Sequence, residues 1–459
     1  VTSILWLRRD LRRADHPALL AARDAADGDL VVAYVLDPAL WSSAGPVRRA
    51  WLAATLEATA RDYGDALTLL WGNSRIVVPE LAKRLGATSV HVTRETTPFG
   101  RRRDEDIANS LAAQGVSWLE TGTPYAVGPG LVVNGTGTPY KVFTPFARAW
   151  REHGWPDPAP RPRDLPLRHA RNDADATRAL RDALTQPDLP TLPDAGEEAA
   201  HARWREFLET GVTAYATDRD LPGRDGTSRL SPHLKLGTIH PRTLLADLAS
   251  RRGTGKETFV DELAWREFYA DVLWHNPSSA WTDLRDALAG MEYDEPADAI
   301  EAWRAGTTGY PIVDAGMRQL LATGWMHNRV RMITASFLTK DLHVWWPVGA
   351  RHFLDHLVDG DIASNSHGWQ WVAGTGTDAS PYFRVFNPVT QGEKFDPDGD
   401  YVREWVPELA HLAGKAAHQP WEHADGYARG YPARIVDHAE ERREALRRLD
   451  AVKRGTAAR

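Results

Sequence analysis

Apolar and polar positions along the chain fall into two regimes. In the first 130 residues, short apolar runs alternate with longer amphipathic stretches. Residues 3–7, 30–36, 67–71 and 89–93 read as strands, since short runs rich in apolar, β-branched and aromatic side chains suit a strand buried on both faces. Helical periodicity covers 47–63 and 79–85. Strands alternating with helices imply a parallel, doubly wound sheet with helices on both faces, so residues 1–130 are read as an α/β domain. Between 155 and 194, Pro156, Pro158, Pro160, Pro162 and Pro166 interrupt regular helix, and 131–195 is expected to be a long interdomain connection. Helical patterns dominate from 196 to 459, beginning with 201–208, 241–251 and 258–273. That part is read as a mostly α-helical C-terminal domain.

Length agrees with this division, since 459 residues exceed what one hydrophobic core usually serves. Tryptophan is the compositional exception: the 19 present are roughly three times the usual share, which points to aromatic platforms for a cofactor or for bases besides ordinary packing. The absence of cysteine excludes disulfides, thiolate nucleophiles and Cys-ligated metals. A net charge of −7 argues against a generally basic nucleic-acid binder but leaves room for a local basic groove. No signal sequence and no long apolar run is seen, so a cytoplasmic protein without a membrane partner is expected. The first βα turn carries neither a P-loop nor G-x-G-x-x-G. The 17 histidines lack HExxH spacing, and no metal site is expected.

Several stretches combine side chains that suit a binding cavity. Thr227, Ser228, Arg229, Leu230 and Ser231 precede Pro232 at a helix start, where hydroxyls and backbone N–H groups either hold phosphate oxygens or simply cap the helix. Glu262, Trp265, Arg266 and Tyr269 share one helical face. They form either a wall that stacks and hydrogen-bonds a base or an exposed Glu262–Arg266 ion pair over a buried indole. Asn328, Arg331 and Met332 stand at i, i+3 and i+4 after Trp325. Their face either lines a cavity for something flat and partly polar or divides between core and water. Asp359, Gly360 and Asp361 offer two acceptors for ribose hydroxyls or an arginine.

Taken in order, these segments resemble the photolyase/cryptochrome family over nearly the whole chain, from Leu5-Trp6-Leu7-Arg8-Arg9-Asp10 to Tyr431-Pro432-Ala433-Arg434-Ile435. The most specific stretches are 227–237, 262–269, 309–314, 325–332 and 359–388. Within the family the chain is most similar to class I cyclobutane pyrimidine dimer (CPD) photolyases, light-driven DNA repair lyases. The resemblance implies FAD in the helical domain, held by Tyr215, by Thr227, Ser228, Arg229, Leu230 and Ser231 at the phosphates, and by Trp325, Arg331, Asp359, Gly360 and Asp361. Asn365 matches the asparagine near flavin N5. DNA containing pyrimidine dimers is the implied partner, bound by a monomer. The flipped dimer would meet Glu262, Asn328 and Met332, with Trp265 and Trp371 against its bases. Arg219, Arg329 and Arg384 would join Glu262, Trp265, Asn328 and Trp371 in binding DNA.

Finer expectations rest on single residues. Relatives that repair (6-4) photoproducts carry histidines at the positions of Asn328 and Met332, so CPD repair is expected. The chain ends soon after the shared region, which favours an enzyme over the alternative, a cryptochrome-type blue-light receptor. Trp369 and Trp346 match the inner and middle members of an aromatic electron relay, and Tyr293 stands where an outer tryptophan is common. Gly100 replaces a glutamate of folate-binding members, whereas Arg48, Asp104 and Lys235 match the surroundings of a deazaflavin. An 8-hydroxy-5-deazaflavin antenna is therefore expected, with FMN, folate or none as alternatives.

Overall fold

The computed structural model describes residues 1–378 and 384–457; Tyr382 and Phe383, within one of the shared stretches, lie outside them. The chain packs as two compact units, Val1–Thr213 with Ser228–Pro277 and Val358–Asp361, and Ala214–Thr227 with Ser278–Leu357 and Ile362–Arg459.

The first unit is built on five parallel strands, β1 (Thr2–Leu7), β2 (Asp29–Leu36), β3 (Leu67–Trp71), β4 (Ala87–Val92) and β5 (Ser117–Glu120), in the order β3-β2-β1-β4-β5. Alternation along β1 serves two cores. Ile4 and Trp6 pack with Val31 and Ala33 on one face, under α3 (Ser74–Leu85) and α4 (Pro98–Ala112). Leu5 and Leu7 pack with Leu30 and Val32 on the other, under α1 (Pro17–Ala25) and α2 (Pro46–Asp62). Successive side chains of a strand point to opposite faces, so a continuous apolar run is what a doubly covered strand requires. The sheet thus matches the parallel, doubly wound expectation. α3 begins upstream of Pro79, with Asn73 accepting from the Arg75 amide and Gly86 taking φ +60° beyond its end. The edge strand β5 was not anticipated, because it is short and mostly exposed.

The expected long connection, residues 131–195, carries helices on either side of its proline run, which itself forms no helix. Residues 143–153 form α5 (Phe143–His153), and beyond the prolines the chain forms α6 (Ala174–Leu184). Ala176, Leu180 and Ala183 of α6 join the core on the α2 side of the sheet; their i, i+4, i+7 spacing is a helical stripe hidden among charged residues. Helices α7 (Glu197–Thr210), α8 (Ser231–Leu236) and α9 (Thr254–His275) also pack in this unit.

The second unit is helical. Its core gathers Trp303, Tyr310, Val313, Met317, Met326, Trp346 and Trp369 around α10 (Pro311–Thr323), α11 (Asn328–Ser336), α12 (Trp346–His356) and α13 (Ile362–Ala373). Among the described residues no helix is long and apolar enough to cross a membrane.

Candidate active site

In the first unit, α9 buries Leu263, Ala264, Glu267 and Phe268 and leaves Glu262, Trp265, Arg266 and Tyr269 half-buried. Trp265 stacks on Phe143 at 3.7 Å between ring centroids, 8° from parallel, which fixes the plane of the indole. Arg266 does not serve as the surface ion-pair partner of Glu262. Its guanidinium donates to the carbonyls of Pro124 (3.1 Å) and Leu234 (3.0 Å) and lies 4.4 Å from the Tyr125 ring centre. Glu267, unremarked in the sequence, accepts from the amides of Ala126 (3.1 Å), Val127 (3.0 Å) and Gly128, so α9 anchors the loop that follows β5.

The 227–231 turn is pinned by buried Leu230 and by Arg203, whose Nε donates to the Ser228 carbonyl at 3.0 Å. Ser228 Oγ accepts from the Leu230 amide. Arg229 adopts φ +51°, and its side chain and that of Ser231 are exposed.

The strand order reverses between β1 and β4, and crevices at such switch points are where ligands of α/β sheets bind. Arg8, Arg9 and Asp10 leave the sheet there. Asp361 accepts from Arg9 Nη2 at 2.9 Å and from Lys235 Nζ at 3.4 Å. The structure therefore joins a residue expected at FAD to one expected at the antenna. Burial, only partly opposed by Asp361, lowers the Lys235 ammonium to about 8. Arg48 lies close enough to repel Lys235, while its Nη2 donates to the Ser43 carbonyl. Asp104 is drawn inward: it accepts from Arg8 Nη1 (2.6 Å) and Arg103 Nη2 (2.8 Å) and is buried. A Cβ on Gly100 would stand 2.1 Å from Glu95 Cγ, so a glutamate at position 100 would have to displace the Glu95 side chain. The carboxylate present is that of Glu95. Although burial opposes it, Arg9, Arg103 and Arg8 hold it down to about 2.

In the second unit, His327 caps α11 through the Arg329 amide. Asn328 is exposed, Arg331 and Met332 are half-buried, and Val330 and Ile333 fill the core. Arg331 Nε donates to the Met326 carbonyl at 2.7 Å. Trp325 is half-buried, its ring edge-on to His327. Arg329 pairs with Asp220 at 2.7 Å and lies over Phe395; Arg219 lies over buried Tyr215, and Arg384 is exposed.

On α13, Asn365 Nδ2 donates to the Ala350 carbonyl at 3.0 Å. A carbonyl can only accept, so the amide nitrogen must face it, and the side-chain oxygen is left as an acceptor. Trp369 lies 4.9 Å from Phe353 and 6.1 Å from Trp303 between ring centroids, over Gly349; its buried Nε1 has no hydrogen-bond partner among the described residues. Gln370 is buried, accepting from the Leu284 amide and donating to the Ser279 carbonyl. Trp371 is half-buried against the core. Trp346 is fully buried and donates to Asp283 at 2.7 Å.

The family descriptions that match are DNA photolyase over residues 3–163 and FAD binding domain of DNA photolyase over residues 259–451. The deoxyribodipyrimidine photo-lyase of Vibrio cholerae is 38% identical across 97% of this chain and 98% of its own. A class III photolyase from Agrobacterium tumefaciens has TM-score 0.90 at 37% identity, covering 99% of this chain and 98% of that one. An archaeal photolyase from Sulfolobus tokodaii, described with two FAD molecules, has TM-score 0.85 at 28% identity, covering 98% of this chain and 100% of that one. The chain belongs to the photolyase/cryptochrome family and carries its DNA photolyase and FAD-binding domains. The class I expectation gains nothing from these matches, one of which is class III.

The residues fit the cofactor that the FAD-binding domain implies. Asn365 is half-buried and, with its amide nitrogen committed to the Ala350 carbonyl, keeps an oxygen that can accept from a flavin N–H.

Proposed function

We propose that this chain is a light-dependent lyase that splits cyclobutane pyrimidine dimers in DNA back into separate pyrimidines, with FAD as its cofactor. One observation carries the reading: the side chains that α9, α11 and α13 leave exposed or only half-buried include Glu262, Trp265, Asn328, Met332, Asn365 and Trp371, the set that the family resemblance assigns to dimer and flavin. Bound FAD, reduced and excited by light, supplies one electron to the dimer and receives it back.

The protein's share is positioning. The dimer leaves the duplex at a cost of a few kcal/mol, less than an intact step because its stacking is already disturbed. Trp265, held flat by Phe143, and Trp371 present aromatic faces to the extruded bases. Glu262 and Asn328 hydrogen-bond the pyrimidine edges, and Glu262 stabilises the charge that develops there. Met332 supplies an apolar side in place of a histidine. Tyr215 and Thr227 to Ser231 would hold the FAD phosphates, Trp325, Arg331, Asp359, Gly360 and Asp361 would line the remainder, and the Asn365 oxygen would accept a hydrogen bond from a flavin N–H. Trp369 and Trp346 conduct electrons toward the cofactor, with Tyr293 beyond them. Arg219, Arg329 and Arg384 meet phosphates, and a few such contacts make binding salt-dependent without a basic surface overall.

An antenna, 8-hydroxy-5-deazaflavin, is proposed at Arg48 and Lys235. Asp104 contributes through Arg8 rather than directly, since its oxygens are committed. The Gly100–Glu95 contact supports this choice over a folate held by a glutamate at position 100.

The test is an absorption spectrum of the purified protein, chromophore extraction with mass spectrometry, and repair of a thymine-dimer oligonucleotide under blue light. Dimer loss that requires light and reduced flavin is expected. Flavin without dimer loss after full reduction would move the protein to the receptor class, and absence of flavin would overturn the proposal.

A further inference from the structure

The relay read from the sequence ends at Tyr293, but a second aromatic stands beside it. Trp345 directly precedes α12 and is 38% exposed. Its ring centroid lies 6.4 Å from that of Trp346 and 6.5 Å from that of Tyr293.

The three side chains differ in how each could hold an electron vacancy. An oxidised indole is a cation radical with an acidic N–H, and charge is costly where water cannot reach it. Trp346 is fully buried, with its N–H on Asp283; the carboxylate steadies a positive charge but shuts out bulk water. Tyr293 is oxidised readily only if its proton leaves. Burial, assisted by the charge of Asp283, raises the phenol above its ordinary range, and its hydroxyl makes no hydrogen bond among the described residues. Trp345 alone of the three presents a large part of its ring to water.

We infer that Trp345 is the exit of the relay, the residue from which the electron is finally withdrawn. This rests on the reading that Trp369 and Trp346 conduct electrons toward the flavin. The oxidant is the light-excited oxidised flavin. One electron passes from Trp345 to Trp346, from Trp346 to Trp369 and from Trp369 to the flavin; the Trp345 indole proton passes to bulk water. The neutral Trp345 radical is returned to its resting state by one electron and one proton from an exogenous thiol. Tyr293 then lies beside the exit as a packing neighbour.

The experiment is laser-flash absorption and steady photoreduction of the flavin-loaded protein with a thiol donor, comparing wild type, Trp345→Phe, Tyr293→Phe and Trp369→Phe. Flavin content and thermal midpoint are measured for each variant as a check on folding. Expected are a neutral tryptophanyl spectrum in wild type and in Tyr293→Phe, forming more slowly in heavy water. Trp345→Phe should lower the yield of long-lived radical by an order of magnitude, because the vacancy on buried Trp346 recombines. A tyrosyl spectrum in wild type that Tyr293→Phe abolishes and Trp345→Phe leaves intact would overturn the assignment. If Trp369→Phe also photoreduces normally, the relay itself is refuted; if Trp369→Phe abolishes photoreduction while Trp345→Phe does not affect it, only the exit is wrong.

Discussion

Substitution of Gly349 by alanine tests the placement of the inner tryptophan through stability alone. A Cβ at this position of α12 would stand 2.2 Å from Trp369 Cη2 and 2.6 Å from Leu338 Cδ2. Carbon atoms rest at about 3.5–4.0 Å, so an atom of the rigid indole must move by more than an ångström. Trp369 is 3% exposed and wedged by Phe353 and Trp303, which leaves no ready direction of escape. Overpacking a core costs about 1–3 kcal/mol, and rigidity on both sides places this case near about 3. Alanine's better helix propensity offsets about 1 kcal/mol, for a net loss of about 2. Gly368 is the control: it lies in α13 with no atom within 4 Å of an added Cβ, so Gly368→Ala should be neutral or gain up to about 1 kcal/mol. Urea unfolding followed by tryptophan fluorescence, with equal slopes required of all three proteins, measures both. Gly349→Ala should also slow photoreduction, because the displaced indole is the relay's inner member. Equal stabilisation by the two substitutions would refute the packing described for Trp369.

Glu267→Gln replaces two acceptor oxygens facing three amides by one oxygen and an NH2 group. It should cost about 1–3 kcal/mol, and hydrogen exchange should show residues 126–128 loosened while α9 stays protected. Asp361→Asn leaves Arg9 and Lys235 without their shared carboxylate; breaking a buried pair costs about 3–5 kcal/mol, and the 12–13% exposure of Asp361 and Arg9 favours the lower end, read by denaturant midpoint. His233, buried against Trp51, is lowered by burial to about 4. Its unfolded form therefore binds a proton between pH 6.5 and 4 while the folded form does not, and stability should fall as pH drops through that window. His233→Gln should flatten that part of the pH profile, and an unchanged slope would contradict the burial of a neutral imidazole.

Much of the first unit was legible because its strands are apolar on both faces and its helices alternate with them. β5 escaped because an exposed edge strand of four residues has no such run. The stripe of α6 was hidden because Ala176, Leu180 and Ala183 are small or isolated among charges, and only the presence of α2 and the sheet gives them something to bury against. In the site, the helical faces of 262–269 and 328–332 were readable from spacing, since i, i+3 and i+4 share a face wherever a helix forms. Whether each face served a cavity or only met water was not.

Residue type and spacing by themselves determined the fold class, the family and which side chains could do chemistry, because strand and helix periods and the family's stretches are local properties of the chain. Only the tertiary structure decided the partners. Arg266 went to two carbonyls rather than to Glu262, Asp104 to Arg8 and Arg103, Asp361 to Arg9 and Lys235, and Trp345 to the side of Tyr293. A guanidinium or carboxylate takes whichever partner packing brings within hydrogen-bond reach, and most of these partners lie tens to hundreds of residues away in sequence.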